Sequence, residues 1–284
     1  MDYGVTSLSL EQYPKLLHEI PRPPKKLRCR GVVPSQTARY LTVVGSRESS
    51  HYGERALRFL LEGLKGYDIV IVSGLAYGID TIAHTCALEL GLPTIAVPGS
   101  GLDWNVLYPR LNNNLAHQIL EHNGSLLSEF EDSLRATEWS FPQRNRLMAG
   151  MSHATLVVEA REKSGSLITA KLATDFNREL LVVPGSIFSI GSAGVHQFLK
   201  LGATPVTESN DILRALGLAE KTRTIERVDV SEDELRVLAI LTTPLHKNEL
   251  LEQLLLPTEE AGALLTMMEI KGLIVEEMGF VRTI

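Results

Sequence analysis

The sequence predicts a doubly wound α/β domain, Rossmann-like with a mostly parallel sheet, followed by a small winged-helix-like domain. Three observations predict it. Short runs rich in β-branched residues recur at 41–44, 69–72, 94–97, 125–127, 155–158, 180–183 and 204–206, most of them closing on Gly, Ser or Pro. A stretch of helical character follows each run. The runs are continuously apolar rather than alternating, as in strands covered by helices on both faces.

Residues 1–40 read as a proline-rich basic extension packed on the core. Pro14, Pro21, Pro23, Pro24 and Pro34 leave no room for a long helix, and between Lys15 and Arg39 seven Lys/Arg face the single acid Glu19. The Rossmann-like domain spans 41–218 and closes with a helix over 211–218. A polar stretch, 219–230, reads as a linker. Ser231-Glu232-Asp233-Glu234 is a capping box ahead of the periodic apolar residues Leu235, Leu238, Ile240 and Leu241. A second helix from Lys247, a third from Thr258 and a hairpin about Gly279 complete the winged-helix pattern over 231–284.

Apolar residues make up 44% and charged residues 22% of 284, which suits one large globular domain plus a small one. The apolar runs fall far short of the ~20 residues that cross a bilayer, and the first residues open no secretory signal, so a cytoplasmic protein without membrane contact is expected. Cys29 and Cys86 lack CxxC spacing and are expected to be reduced thiols. The net charge of −6 conceals a division: residues 225–284 hold 5 Lys/Arg against 12 Asp/Glu, whereas the preceding 224 hold 23 against 22. An anionic partner therefore belongs on the large domain.

In an open parallel sheet, ligands bind outside the carboxyl ends of the strands, where helix N-termini direct free N–H groups. Glycine turns sit at those ends: Val44-Gly45-Ser46-Arg47, Ser73-Gly74-Leu75-Ala76-Tyr77-Gly78-Ile79-Asp80, Pro98-Gly99-Ser100-Gly101, Lys163-Ser164-Gly165-Ser166-Leu167-Ile168-Thr169 and Pro184-Gly185-Ser186. Each could be no more than a tight turn. None is GxGxxG, and no GxxxxGK[ST] occurs. Phe141-Pro142-Gln143-Arg144-Asn145-Arg146 places an aromatic ring, two guanidiniums and an amide at a helix start, with Pro142 well suited to the first turn. A ring can stack on any unpaired base while arginines hold flanking phosphates. The alternative makes Phe141 a core side chain and the arginines partners of Glu129, Glu131 or Glu138.

These segments, together with Val158-Glu159-Ala160 and Ala149-Gly150, resemble the serial signatures of the DprA/Smf family. Tyr13-Pro14, Leu16-Leu17 and Gly202-Ala203 also fit, so the resemblance covers about 12–215. It implies a homodimer that binds single-stranded DNA, displaces or bypasses a single-strand-binding protein, and loads a RecA-type recombinase during natural transformation or recombination. By position it implies that Gly45, Ser46 and Arg47 with Ser73, Gly74, Ala76, Gly78 and Asp80 hold phosphates. Phe141, Arg144 and Arg146 would flank the strand, with Asn145, Ser164, Gly165, Ser166 and Thr169 completing the DNA-binding set.

The sequence departs from that pattern in four places. About 40 residues before the first strand leave no room for the helical SAM-like domain that many members carry. Trp104-Asn105-Val106-Leu107 lengthens the loop before Tyr108-Pro109. The stretch 129–141 lacks the usual Pro and Gly, and Gly194-Val195-His196-Gln197 differs from the usual Gly-x-Asn. The third helix of the C-terminal domain carries Glu259, Glu260 and Glu269 against Lys271, a sign that repels phosphate, so a protein-contact, dimerising or autoinhibitory role is expected there.

No HExxH or Cys/His pairing occurs among the eight histidines, and Ser100 is not in a GxSxG elbow. Asp80, Asp103 and Glu159 are read as helix caps. No metal, cofactor or catalytic residue is assigned, and the expectation is a binding protein rather than an enzyme. The alternatives are a nucleotide hydrolase of the LOG type, whose PGGxGTxxE signature is missing, and a nucleotide-sensing domain.

Overall fold

The computed structural model describes residues 3–33, 35–219, 231–241, 243–254, 256–277 and 279–283. The chain divides into two compact units, 1–220 and 221–284.

The large unit is built on a nine-stranded sheet. Its strands are β1 (Val5–Ser7), β2 (Arg28–Gly31), β3 (Arg39–Val44), β4 (Ile69–Ser73), β5 (Thr94–Ala96), β6 (Ser125–Ser128), β7 (Ala154–Val157), β8 (Glu179–Val182) and β9 (Thr204–Pro205). The order is β1-β2-β6-β5-β4-β3-β7-β8-β9, parallel from β6 through β9, with β2 and β1 added antiparallel at one edge. Six helices connect them and a seventh follows β9: α1 (His51–Glu62), α2 (Ile79–Leu90), α3 (Asn113–Glu121), α4 (Ser140–Met151), α5 (Ser166–Asp175), α6 (Ala193–Lys200) and, last, α7 (Ser209–Ala215).

The apolar runs serve two cores because successive side chains in a strand point to opposite faces. Leu41, Val43, Ile69 and Ile71 meet Leu57, Leu60 and Leu61 of α1, Ala83 and Ala87 of α2, and Ile212 and Leu213 of α7. On the other face Tyr40, Val44, Val70 and Val72 meet Leu147 and Met148 of α4, Ala170 of α5 and Val195 of α6. Each fully buried Leu or Ile contributes ~1.5–3 kcal/mol relative to exposure.

The expected N-terminal extension over 1–40 is instead built into the large domain. Residues 5–7 and 28–31 are strands of the sheet itself, and Leu17, Ile20 and Leu27 lie in the core beside α4. Charge concealed β2: Arg28 Nη1 donates to Phe130 O (3.1 Å) and Arg30 Nη2 to Leu102 O (3.0 Å), so both guanidiniums find backbone acceptors inside. The lengthened loop folds inward, Trp104 lying between Arg30 (4.8 Å to the ring centroid) and His117 (3.8 Å between ring centroids).

The small unit contains α8 (Glu232–Ile240), α9 (Lys247–Leu254) and α10 (Thr258–Ile270) with an antiparallel sheet of β10 (Leu245–His246), β11 (Ile274–Glu277) and β12 (Phe280–Thr283), ordered β10-β12-β11. The expected capping box is present, Ser231 Oγ accepting from Glu234 N (3.2 Å) and Glu234 Oε2 accepting from Ser231 N (2.7 Å). Strand β10 escaped the sequence reading because two residues carry no period. Glu260 and Glu269 are exposed. The side chain of Glu259, and all of the expected linker except Ala219, lie outside the described residues.

Candidate functional site

Strand order reverses between β3 and β7. Connections from β3 through β6 run one way and those from β7 through β9 the other, which opens a crevice at the carboxyl ends of this pair. An open pocket of about 400 Å³ fills it. Four segments line it: Gly45, Ser46 and Arg47 after β3; Ala76 and Asp80 leading into α2; Phe141, Arg144 and Asn145 in the first turns of α4; and Ser164, Gly165, Ser166 and Thr169 entering α5. Residues from across the chain thus meet at one place on the rim.

The glycines allow the turns to approach. A Cβ on Gly45 would lie 2.5 Å from Ile79 Cγ1, and Gly78, at φ 70°, would place one 2.3 Å from Ser46 O. Ile79 N donates to Ser46 O (3.1 Å), locking the two turns together. On the other wall Ser166 N donates to Ser164 Oγ (3.3 Å), and the two hydroxyls lie 2.6 Å apart. The start of α5 offers the hydroxyls of Ser164 and Ser166 and the positive end of its dipole to an anion.

Phe141 is half-buried and is not a core side chain. The guanidinium carbon of Arg47 lies 5.2 Å from its ring centroid, and the edge of Tyr108 is 6.0 Å away between centroids. Arg47 is exposed, and among the described residues no carboxylate is ion-paired with it. A cation lying over an accessible ring is equipped for a ligand combining a phosphate with a flat base.

Arg144 has the opposite character. It is 4% exposed; its Nη1 donates to Gly74 O (2.6 Å) and to Val97 O, and its Nε to Asn145 Oδ1 (3.1 Å). Asp80 Oδ2 accepts from Gly74 N (3.2 Å) and Ala76 N (3.3 Å). Burial pushes the Asp80 carboxyl up, and the nearby Arg144 charge and these N–H donors partly restore it. Burial pushes Arg144 down to about 10, with Asp80 opposing. The two charges hold the base of the pocket, and Gly74 fits between them because a Cβ there would lie 1.9 Å from Arg144 Nη1.

Twelve of the sixteen residues assigned from sequence line the pocket. Ser73 does not: it is fully buried and its Oγ donates to Val43 O (2.7 Å). Gly78 serves the turn contact. Gly74 borders a small adjoining cleft with Tyr77 and Tyr108. Arg146 points elsewhere, ion-paired with Glu129 and donating to Arg22 O (2.5 Å), which is the carboxylate-partner alternative open in the sequence. Arg146→Ala would leave the partly buried Glu129 without its cation, and a loss of about 1–3 kcal/mol in denaturant unfolding is expected. Lys163, Arg161 and Glu48, the last two paired at 2.6 Å, also line the pocket outside the assigned set, although all three adjoin glycine turns. Tyr108 carried no signal, since only folding brings it to Phe141.

A family model described as DNA recombination-mediator protein A matches residues 5–217. Protein Smf of Escherichia coli is 43% identical over 206 residues, which are 72% of this chain and 54% of that protein. The match therefore spans about half the length of that relative. The X-ray structure of DNA processing protein A (DprA) from Streptococcus pneumoniae superposes with a TM-score of 0.69 at 38% identity, covering 74% of this chain and 73% of that one. A DNA processing protein A from Helicobacter pylori, described for its single-stranded DNA binding mode, superposes with a TM-score of 0.65 at 30% identity, covering 75% and 96%.

Proposed function

The chain belongs to the DNA recombination-mediator protein A family, the DprA/Smf proteins, and on that premise we propose that it binds single-stranded DNA along the sheet rim and acts as a recombination mediator. The observation that carries this reading is the Arg47 guanidinium over the half-buried ring of Phe141, beside the hydroxyls at the start of α5. Phosphate goes to the cation and hydroxyls, and a base to the ring. Duplex DNA offers no free base face to such a site. The family match does not favour a nucleotide hydrolase.

The protein delivers the bound strand to a RecA-type recombinase, competes with single-strand-binding protein, and works in the cytoplasm as a homodimer. No described helix is long and apolar enough to cross a membrane. An apolar groove beside β9, lined by Ile168, Phe198 and Leu201, supports a second copy. We read the protein as non-catalytic because the acids about the pocket are bound in structural contacts. Asp80 accepts from two backbone N–H groups and Glu159 from Ser50 N (2.9 Å). The three helices and small sheet of the acidic C-terminal unit support a winged helix that contacts protein rather than phosphate.

A salt titration of affinity for an oligothymidylate and for the matching duplex tests the reading. The single strand is expected to bind more tightly, with log affinity falling by about 0.7 per phosphate neutralised against log salt. Equal affinity for duplex, or none for either, would sink it.

A further inference from the structure

The loop from β8 to α6 carries Ile187, Phe188 and Ile190 at 80%, 91% and 75% exposure. Three large apolar side chains displayed within four positions mark a contact surface rather than scattered surface residues. The loop is braced. Tyr52 Oη donates to Pro184 O (2.5 Å), Phe188 N to Ser186 Oγ (3.2 Å), Ser189 N to Ser186 O (3.0 Å) and Ala160 N to Gly191 O (2.8 Å). A hydrogen-bonded turn therefore holds these side chains out in water.

Its position relates it to the pocket. β8 is parallel to β7 and adjacent to it, so the loop leaves the same rim one strand further along. Between them lies a cleft of about 470 Å³ walled by Ser50, Tyr52, Ser186, Ser189 and Ser192. Cleft and pocket border neighbouring residues of the same two segments, Ser50 beside Glu48 after β3 and Glu159 beside Arg161 after β7. Glu159 at the cleft also accepts from Ser50 Oγ (2.5 Å) beside the N-terminus of α1, so both its oxygens are hydrogen-bonded to Ser50. Lys163, exposed on the same segment, adds a cation along the route. An extended strand with one base at Phe141 that continued along the rim past this cleft would reach the 184–191 loop.

Resting on the single-strand reading of the pocket, we infer that the 184–191 loop is a second base-binding station, with Phe188 as the stacking face and Ile187 and Ile190 as its apolar flanks. The strand then occupies two aromatic stations separated by the serine cleft.

The full chain is titrated with oligothymidylates of about four and about sixteen nucleotides, the range of site sizes for single-strand binders. The wild type is expected to gain affinity with length beyond the statistical gain of extra registers. Phe188→Ala is expected to weaken binding of the longer strand roughly tenfold or more, leaving the shorter strand, the salt slope and the melting temperature unchanged. Phe188→Tyr keeps the gain, whereas Phe188→Leu behaves as Ala, because stacking requires a π face. Equal binding of both lengths by Phe188→Ala and wild type, or full replacement by Leu, overturns the station alone. A wild type that binds neither length overturns the reading of the pocket and the station with it.

Discussion

Arg144→Met is expected to destabilise the large unit by ~3–5 kcal/mol, on the order of 10 °C in Tm. Arg144 is 4% exposed and its Nη1 serves two carbonyls, Gly74 O and Val97 O. Methionine fills similar space but leaves those acceptors bare and Asp80 buried without its cation. The defect has a pH signature. The folded-state pKa of Asp80 already lies above its ordinary value through burial, and Arg144 is the largest opposing cause. Removing Arg144 raises it further. A group with a raised folded-state pKa stabilises the fold below its unfolded value of ~3.9 and loses that contribution as pH rises through the folded value. The gap between variant and wild type is therefore expected to narrow on acidification. Asp80→Asn in the Arg144→Met background should recover a large part of the loss, and denaturant melts at two pH values would measure both effects. Equal, additive losses from the two substitutions would contradict the coupling.

The second large effect is on binding. Arg47→Ala should weaken the single strand about tenfold for all sequences, since charge-assisted hydrogen bonds contribute ~1.5–3 kcal/mol, and make the salt slope shallower by about 0.7. Phe141→Ala should cost ~1–3 kcal/mol of stacking with the slope nearly unchanged. Arg47 lies over the Phe141 ring, so each side chain orders the other. A double-mutant cycle should return a coupling of ~0.5–1 kcal/mol. Additive losses would mean that the two contact the strand independently.

The parallel strands were legible because burial on both faces makes their composition continuously apolar. β2 was not, because Arg28, Cys29 and Arg30 look like a solvated basic segment until the carbonyls of Phe130 and Leu102 are in place. The same limit separates the site residues. Glycine turns announce close backbone approach, and most of the assigned turn residues do line the pocket. Arg144 and Arg146 look equivalent in sequence, yet two positions in a helix turn the side chain by roughly 200°. One goes to the pocket base and the other to Glu129 on the far side. Which arginine faces a ligand is decided by helix phase, which could have been read from the apolar positions Leu147 and Met148.

Strand β9 is only two residues long, and the second is Pro205, which has no N–H to give. Opposite it, three-residue β1 closes the other edge. Such borders offer little template for another chain's backbone, so partly unfolded copies are poorly able to grow into stacked sheets. A second copy docking beside β9, as proposed, would therefore be recognised through the side chains of α5 and α6 and not by added strand pairing.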